Sequence, residues 1–279
     1  MPAPISDDAD FDELFGAWQS TAADFSALVT TLSQDHWDTP TALPGWTVGD
    51  IVAHVGWLEG LLLGKTDAPH EPDWDSLPHA TSDFGRLTEI PVDLRRSWTR
   101  EDVLAELATN VAALRGVLAA GSHDLTKQTQ GPFGPAPLRR VLGMRTLDTW
   151  VHEQDIRDTL GRPGHLATAG AQVTASQLLP AYGKVWVKGC DAQPGEILRL
   201  RVSGPGVTFE RDVVVGDDGR ARVMEEQAGP TIVTLTMDWQ TFLNLSCGRG
   251  DATEQRAHVS LEGDESRGDK VLDNFCVMI

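Results

Sequence analysis

One helix face that starts apolar and then carries a carboxylate and an imidazole one turn apart is the sequence feature that most limits the fold and function of this chain. We predict one helix at residues 141–161. It ends at Gly161, because a glycine followed two positions later by Pro163 is a typical stop signal. Asp148 and His152 lie one turn apart on the face that starts with Val141, and Asp155 lies a turn further. A carboxylate and an imidazole at this spacing can bind one metal ion, although a weak pair on a solvated face has the same pattern.

His54 occupies a position in an earlier helical segment where an apolar residue is expected. Residues 47–64 predict a helix whose core-facing stripe contains Ile51, His54 and Leu58. A lone histidine there is commonly a core residue that hydrogen-bonds a neighbour. If it faces Asp148 and His152 instead, three nitrogen and oxygen donors leave one coordination position open, which is typical of a catalytic zinc site.

Two further segments, residues 10–32 and 99–121, have apolar residues at helical spacing. Thr47 and Thr99 are suitable N-cap residues for the second and third helices. Four helices without convincing strands predict a four-helix bundle in this half of the chain. Residues 65–97 predict a long connection that could hold a short helix, and its histidines, His70 and His79, are expected to be solvated.

The chain changes character after residue 164. Segments between residues 196 and 238 cluster β-branched residues between Gly, Pro and Asp turns, and helical and strand patterns alternate after them. This pattern predicts an α+β domain with a mostly antiparallel sheet. The whole chain is therefore predicted to be an α+β protein of two domains, residues 1–165 and 166–279.

The composition of the chain limits the classes of binding partner and the cellular compartment that we expect. The 279-residue chain has a formal net charge of −18, which argues against nucleic acid or an anionic membrane as a partner. Its three cysteines form no CxxC motif, so a reducing compartment is expected. The N-terminus lacks signal-peptide features, and the apolar run near residues 61–63 is too short to span a bilayer. We expect a cytoplasmic monomer or homodimer.

Two motifs resemble the mycothiol-dependent maleylpyruvate isomerase family: LPGWTVGDIVAHV at residues 43–55, and WVHEQDIR at 150–157 followed by LGRPG at 160–164. The resemblance implies that the first domain is a DinB-like metal-binding four-helix bundle. It also implies that His54, Asp148 and His152 are the metal ligands. The family's maleylpyruvate isomerase has Glu where this chain has Asp148, and the shorter side chain could shift the metal or its bound water.

Other site residues follow from the same comparison and from their chemistry. Glu153 is a rival ligand, but it points about 100° away from His152 on the helix. Asp155 could hydrogen-bond a metal ligand and so orient it, or it could contact the substrate. The segment MDWQTFLNLSCGRGD at residues 237–251 resembles a sterol-carrier-like second domain, which implies a functional role for Arg249. Its planar fork suits a carboxylate of the substrate or of the thiol cofactor, although a surface arginine in a loop has the same pattern.

The resemblance implies an enzyme that uses Zn²⁺ or another divalent metal and mycothiol. The thiol, held by the metal as thiolate, would attack a small electrophilic substrate, as an S-transferase or an isomerase. Asp148 and the HEQD variant of the motif favour an S-transferase over the isomerase itself. One alternative is a metal-dependent hydrolase in which Glu153 or Asp155 acts as base. The other is a non-enzymatic protein that binds a small ligand.

Overall fold

The chain forms two compact units. The computed structural model describes residues 2–131, 134–227 and 229–278. The first unit is Asp8–Gly164. The second unit is formed by the residues from His165 onward together with the short N-terminal segment that ends at Asp7. That segment was predicted to belong to the first domain, but Ile5 N donates a hydrogen bond to Gln172 O in the second unit. The α+β class is confirmed, with helices in the first unit and a mixed sheet in the second.

Helices build the first unit. In chain order they are α1 (Phe11–Thr30), α2 (Gln34–Trp37), α3 (Val48–Leu62), α4 (Asp83–Arg95), α5 (Arg100–Ala120) and α6 (Leu138–Thr159). A two-residue antiparallel pair, β1 (Gln128–Thr129) with β2 (Ala136–Pro137), precedes α6. Helix α3 packs against α4, α5 and α6, and α1 packs against α5 and α6. The functional side chains of this unit therefore lie on helices that contact one another directly.

The predicted N-caps of two of these helices are confirmed. Thr47 Oγ1 accepts a hydrogen bond from Asp50 N at the start of α3, and Thr99 Oγ1 accepts one from Asp102 N at the start of α5. Each cap satisfies a backbone donor that has no partner within the helix. The cap of α3 determines where that helix begins, and so where His54 lies along it.

Helix α4 departs from the sequence prediction, which expected a connection with at most a short helix. It has 13 residues, is polar on average and contains Pro91, so apolar periodicity does not reveal it. Tertiary ion pairs hold it in place. Arg95 donates to Asp67 at 2.8 Å and to Glu106 at 2.6 Å, and its side chain is buried. Contacts with distant segments have outweighed weak local propensity.

Helix α5 is long and apolar enough, by length and composition alone, to cross a membrane. Core helices of soluble proteins pass the same test. Val103 and Leu107 of α5 are buried, and the helix packs against α3. Its composition is therefore weak evidence for a membrane span.

Gly45, in the loop that leads into α3, is required by its backbone and by its neighbour. Its φ is +77°, and a Cβ there would lie 2.2 Å from His79 Nδ1. Gly64 has a φ of +76° but open space around it, so it is a matched control. We expect Gly64→Ala to destabilise the protein by about 1–2 kcal/mol through backbone strain. Gly45→Ala should cost more, because the His79 ring must also move.

Urea unfolding of the two variants tests this prediction. Both substitutions introduce the same left-handed strain, so the difference between their free energies of unfolding reports the contact with His79. A Gly45→Ala variant as stable as Gly64→Ala would show that the ring moves away without cost.

The second unit is built on a five-stranded sheet with the order β5-β4-β3-β6-β7. The strands are β3 (Ile197–Ser203), β4 (Phe209–Val215), β5 (Ala221–Met224), β6 (Thr231–Asp238) and β7 (Ser260–Gly263). The helices are α7 (Ala169–Leu178), α8 (Ala181–Lys184), α9 (Trp239–Cys247), α10 (Ala252–Arg256) and α11 (Glu265–Asp273), with a π-helical turn at Val185–Gly189. The central pair, β3 and β6, is parallel and the other pairs are antiparallel. Three of the four pairings are thus antiparallel, and the one parallel pairing makes the sheet mixed. Side-chain alternation in the sequence does not encode strand direction, so it could not reveal that pairing.

Candidate metal centre

Helices α3 and α6 bring three possible metal ligands together. His54 lies in the middle of α3, and Asp148 and His152 lie one turn apart on α6. Both histidines are buried, whereas Asp148 is partly exposed. One ligand atom from each of the three residues lies within 4.8 Å of the others. Residues that are 94 positions apart in sequence thus meet at one point.

The spacing of these atoms fits a divalent ion. Nε2 of His54 lies 3.5 Å from Asp148 Oδ1, and Nε2 of His152 lies 3.7 Å from the same oxygen. Ligands on a tetrahedral zinc, with bonds of about 2.0–2.2 Å, lie roughly 3.4 Å apart. Two imidazole nitrogens and one carboxylate oxygen are a suitable donor set for zinc and leave a coordination position open.

Asp155 contacts the second ring nitrogen of His152, the one that is not directed at Asp148. Its Oδ2 is 3.0 Å from His152 Nδ1, and both side chains are buried. A carboxylate at this position favours a proton on Nδ1, which leaves Nε2 free to bind a metal. On the other histidine, His54 Nδ1 is buried and has no hydrogen-bond partner among the described residues.

Arg145 links the metal centre to a second carboxylate that the sequence analysis missed. Its Nη1 donates to Asp148 Oδ2 at 2.8 Å, and its Nη2 donates to Glu59 Oε1 at 2.8 Å. Arg145 and Glu59 are fully buried. Asp148 therefore presents Oδ1 to the histidines while Arg145 holds its other oxygen. The signal in the sequence was Glu59, a charged residue in the otherwise apolar second half of α3.

Carboxylates surround the candidate site. Asp148 and Asp155 contact the histidines, and Glu59 lies beyond Arg145, the guanidinium that contacts both Glu59 and Asp148. A divalent cation held by His54, Asp148 and His152 would be attracted by these carboxylates.

The directions of the pKa shifts of His54 and Asp148 suit metal ligands. Burial lowers the pKa of His54, and this effect outweighs the opposing effect of Asp148. Burial alone would raise the pKa of Asp148, but Arg145 and the two histidines hold it far below its usual range. A neutral imidazole and an ionised carboxylate are the forms that bind zinc.

Glu153 and Arg249 have local partners. The Glu153 carboxylate is buried and accepts a hydrogen bond from Arg157 Nε at 2.8 Å, one turn along α6. It does not belong to the group of ligand atoms formed by His54, Asp148 and His152. Arg249 lies in the second unit just after Gly248, whose φ of +64° ends α9. Its Nη1 donates to the Cys247 carbonyl at 2.7 Å.

Comparisons with known proteins identify the family of the first unit. Residues 18–157 match the family described as the mycothiol maleylpyruvate isomerase N-terminal domain. Two uncharacterised proteins of Mycobacterium tuberculosis, from strains CDC 1551 / Oshkosh and ATCC 25618 / H37Rv, are 29% identical over 145 residues. The match spans 50% of this chain and 52% of each relative, so it covers about half the length of the curated relatives.

Solved structures show the same fold across most of the chain. The crystal structure of the mycothiol-dependent maleylpyruvate isomerase superposes with a TM-score of 0.55 at 16% identity. It covers 91% of this chain and 94% of that one, as does the structure of a histidine-to-alanine mutant of the same enzyme. At this identity the likeness concerns the fold alone. Through the match over residues 18–157, the chain belongs to the mycothiol maleylpyruvate isomerase N-terminal domain family.

Proposed function

We propose that this protein is a zinc-dependent enzyme that uses mycothiol to attack a small electrophilic substrate, as an S-transferase or an isomerase. The observation that carries the proposal is the meeting of His54, Asp148 and His152 within 4.8 Å. Family membership supplies the thiol. The proposal includes a DinB-like bundle of α1, α3, α5 and α6 and a sterol-carrier-like second unit.

Each residue of the centre has a distinct role in this proposal. His54, Asp148 and His152 hold the ion, and Asp155 keeps His152 in the tautomer that exposes Nε2. Arg145 keeps one oxygen of Asp148 away from the ion, so a single oxygen faces the histidines. Bound zinc would lower the pKa of a thiol ligand and keep it as thiolate at neutral pH.

Two chemical outcomes are open to the attacking thiol. In isomerisation the sulfur adds to a cis double bond, the new single bond rotates, and the carbon–sulfur bond breaks to return free thiol. In S-transfer the carbon–sulfur bond stays and the electrophile loses its leaving group or takes up a proton. Asp148, one methylene shorter than the Glu that the family's isomerase has there, favours S-transfer in our proposal.

Residues of the second unit and the cellular setting complete the proposal. We assign Arg249 to binding a carboxylate of the substrate or a polar group of the thiol, because its planar fork suits such groups. Glu153, already paired with Arg157, would contribute as a base only in the hydrolase alternative. A cytoplasmic location fits Cys190, Cys247 and Cys276, which form no disulfide with one another.

Metal content and thiol balance test the function together. The purified protein should bind about one Zn²⁺ and should transform maleylpyruvate, or a generic electrophile such as 1-chloro-2,4-dinitrobenzene, only when mycothiol is present. Isomerisation leaves the amount of free thiol unchanged, whereas S-transfer consumes it in equal measure with the electrophile. A chelator should abolish either activity, and His258→Ala, which removes an exposed histidine of the second unit, should change neither.

Other outcomes identify the alternatives. Metal-dependent consumption of a substrate without thiol indicates a hydrolase. A protein that binds no metal under any loading condition is a small-ligand-binding protein, and the enzymatic proposal is then wrong.

A further inference from the structure

Trp46 lies beside both imidazoles of the candidate metal centre. Its ring centroid is 5.1 Å from that of His54 and 6.2 Å from that of His152. It belongs to the loop before α3 and is half-buried. A side chain of this size next to two histidines limits the rotamers that they can adopt.

A buried carboxylate on α4 holds this indole. Trp46 Nε1 donates to Glu89 Oε2 at 2.7 Å, and Glu89 is 1% exposed. His79 Nε2 lies 3.0 Å from the same oxygen, so this histidine is not solvated as predicted. Arg96 Nη1 donates to Glu89 Oε1 at 2.7 Å. The orientation of Trp46 is therefore set by a helix that contributes no ligand.

The same network reaches the start of α3. Arg96 Nε donates to Asp50 Oδ1 at 3.0 Å, and Asp50 lies one turn before His54. Arg96 also donates to Asp93 Oδ1 at 3.1 Å, and Asp93 pairs with His70 at 2.7 Å. Asp93 thus lies on the same helix as Glu89 and shares its partner Arg96, but the Trp46 indole donates to Glu89 and not to Asp93.

We propose that Glu89 is a positioning residue for the metal centre and that it acts through Trp46. Its carboxylate keeps the indole against His54 and His152, so that both Nε2 atoms stay aimed at Asp148. The inference rests on the proposed function, because this positioning matters to activity only if the histidines bind a metal. Its structural core, the link from Glu89 through Trp46 to the imidazoles, can be tested without a metal.

The test uses NMR of the full-length protein with ¹³C-labelled histidine. The ring-current field of Trp46 shifts the imidazole resonances of His54 and His152, which are assigned with the two alanine variants. Trp46→Leu should move both resonances. Glu89→Ala should reproduce most of that change. Glu89→Gln should move both resonances less than Glu89→Ala does, because its amide oxygen can still accept from the indole, although it no longer offers Arg96 a second acceptor oxygen. Asp93→Ala, the matched control, should leave both resonances in place.

Cobalt binding gives a second measurement. In protein loaded with Co²⁺, the visible ligand-field spectrum should shift in Trp46→Leu and Glu89→Ala but not in Asp93→Ala. In the double variant, Glu89→Ala should add nothing to Trp46→Leu, because the two residues act in series. Wild-type protein that binds no Co²⁺ contradicts the proposed function, whereas the imidazole resonances of metal-free protein test Glu89 separately.

Clear results would overturn the proposal. Resonances that are unchanged in Glu89→Ala, or that change equally in Asp93→Ala, exclude a specific link through Trp46. If Glu89→Ala does not fold, Trp46→Leu and Glu89→Gln carry the test. The proposal is then wrong if Trp46→Leu leaves both resonances in place or if Glu89→Gln moves them as far as Trp46→Leu does.

Discussion

His152→Ala should lower the affinity for Zn²⁺ by more than about 100-fold. This loss exceeds the roughly 10–100-fold loss that is typical when a residue that hydrogen-bonds a metal ligand is removed. The reason is that one of two nitrogen donors disappears, while Asp148 and His54 cannot fill its position. Asp155→Ala should lower the affinity by about 10–100-fold, because His152 keeps its nitrogen and loses only the carboxylate that orients it. Competition with a chromophoric chelator measures both affinities.

Helix content separates loss of metal from loss of fold. Far-UV circular dichroism of His152→Ala should match that of the parent protein, because alanine is a strong helix former and the removed ring forms its polar contacts with Asp148 and Asp155 of the same helix. His258→Ala is the matched histidine control and should keep full affinity. Equal zinc affinity in His152→Ala and the parent would mean that the ion is held elsewhere, and the site would have to be abandoned.

Arg145→Met should destabilise the first unit by about 3–5 kcal/mol, the usual cost of removing one partner of a buried ion pair. Methionine keeps much of the side-chain volume, but Glu59 and Asp148 both lose their charge-assisted hydrogen bonds. Glu59 is fully buried, and its Oε2 has no hydrogen-bond partner among the described residues. The loss of Arg145 would therefore leave it uncompensated. Urea unfolding in the presence of a chelator measures the effect without metal.

A second substitution identifies the cause. In a Glu59→Gln background, Arg145→Met should cost clearly less, because the neutral amide needs no counter-charge. The destabilisation by Arg145→Met in the parent protein, minus its destabilisation in the Glu59→Gln variant, gives the coupling energy between Arg145 and Glu59. A loss below about 1 kcal/mol for Arg145→Met alone, the range of an exposed pair, would show that water reaches Glu59.

The sequence predicted the residues that lie on regular, strongly patterned helices. Asp148 and His152 could be paired because a helix returns to the same face every turn, and the structure places them there. His54 was singled out because it interrupts an apolar stripe. The caps at Thr47 and Thr99 followed from local hydrogen bonding, which needs only three neighbouring residues.

Residues that act through distant partners could not be predicted in this way. Helix α4 has no apolar stripe and depends on ion pairs with other segments. For that reason Glu89 was missed. Glu59 and Arg145 are 86 positions apart, and nothing local indicates that they pair. The parallel pairing of β3 with β6 also depends on how the chain crosses the sheet rather than on either strand.

The sequence by itself indicated the four long patterned helices of the first unit (α1, α3, α5 and α6), the strands of the second unit, and His54, Asp148 and His152 as polar residues on helix faces, because these features depend on short-range periodicity. Only the tertiary structure decided which charges face that centre and which side chains hold its histidines. The physical reason is that a buried charge or an indole N–H must find a partner wherever the folded chain brings one, and sequence distance does not restrict that choice.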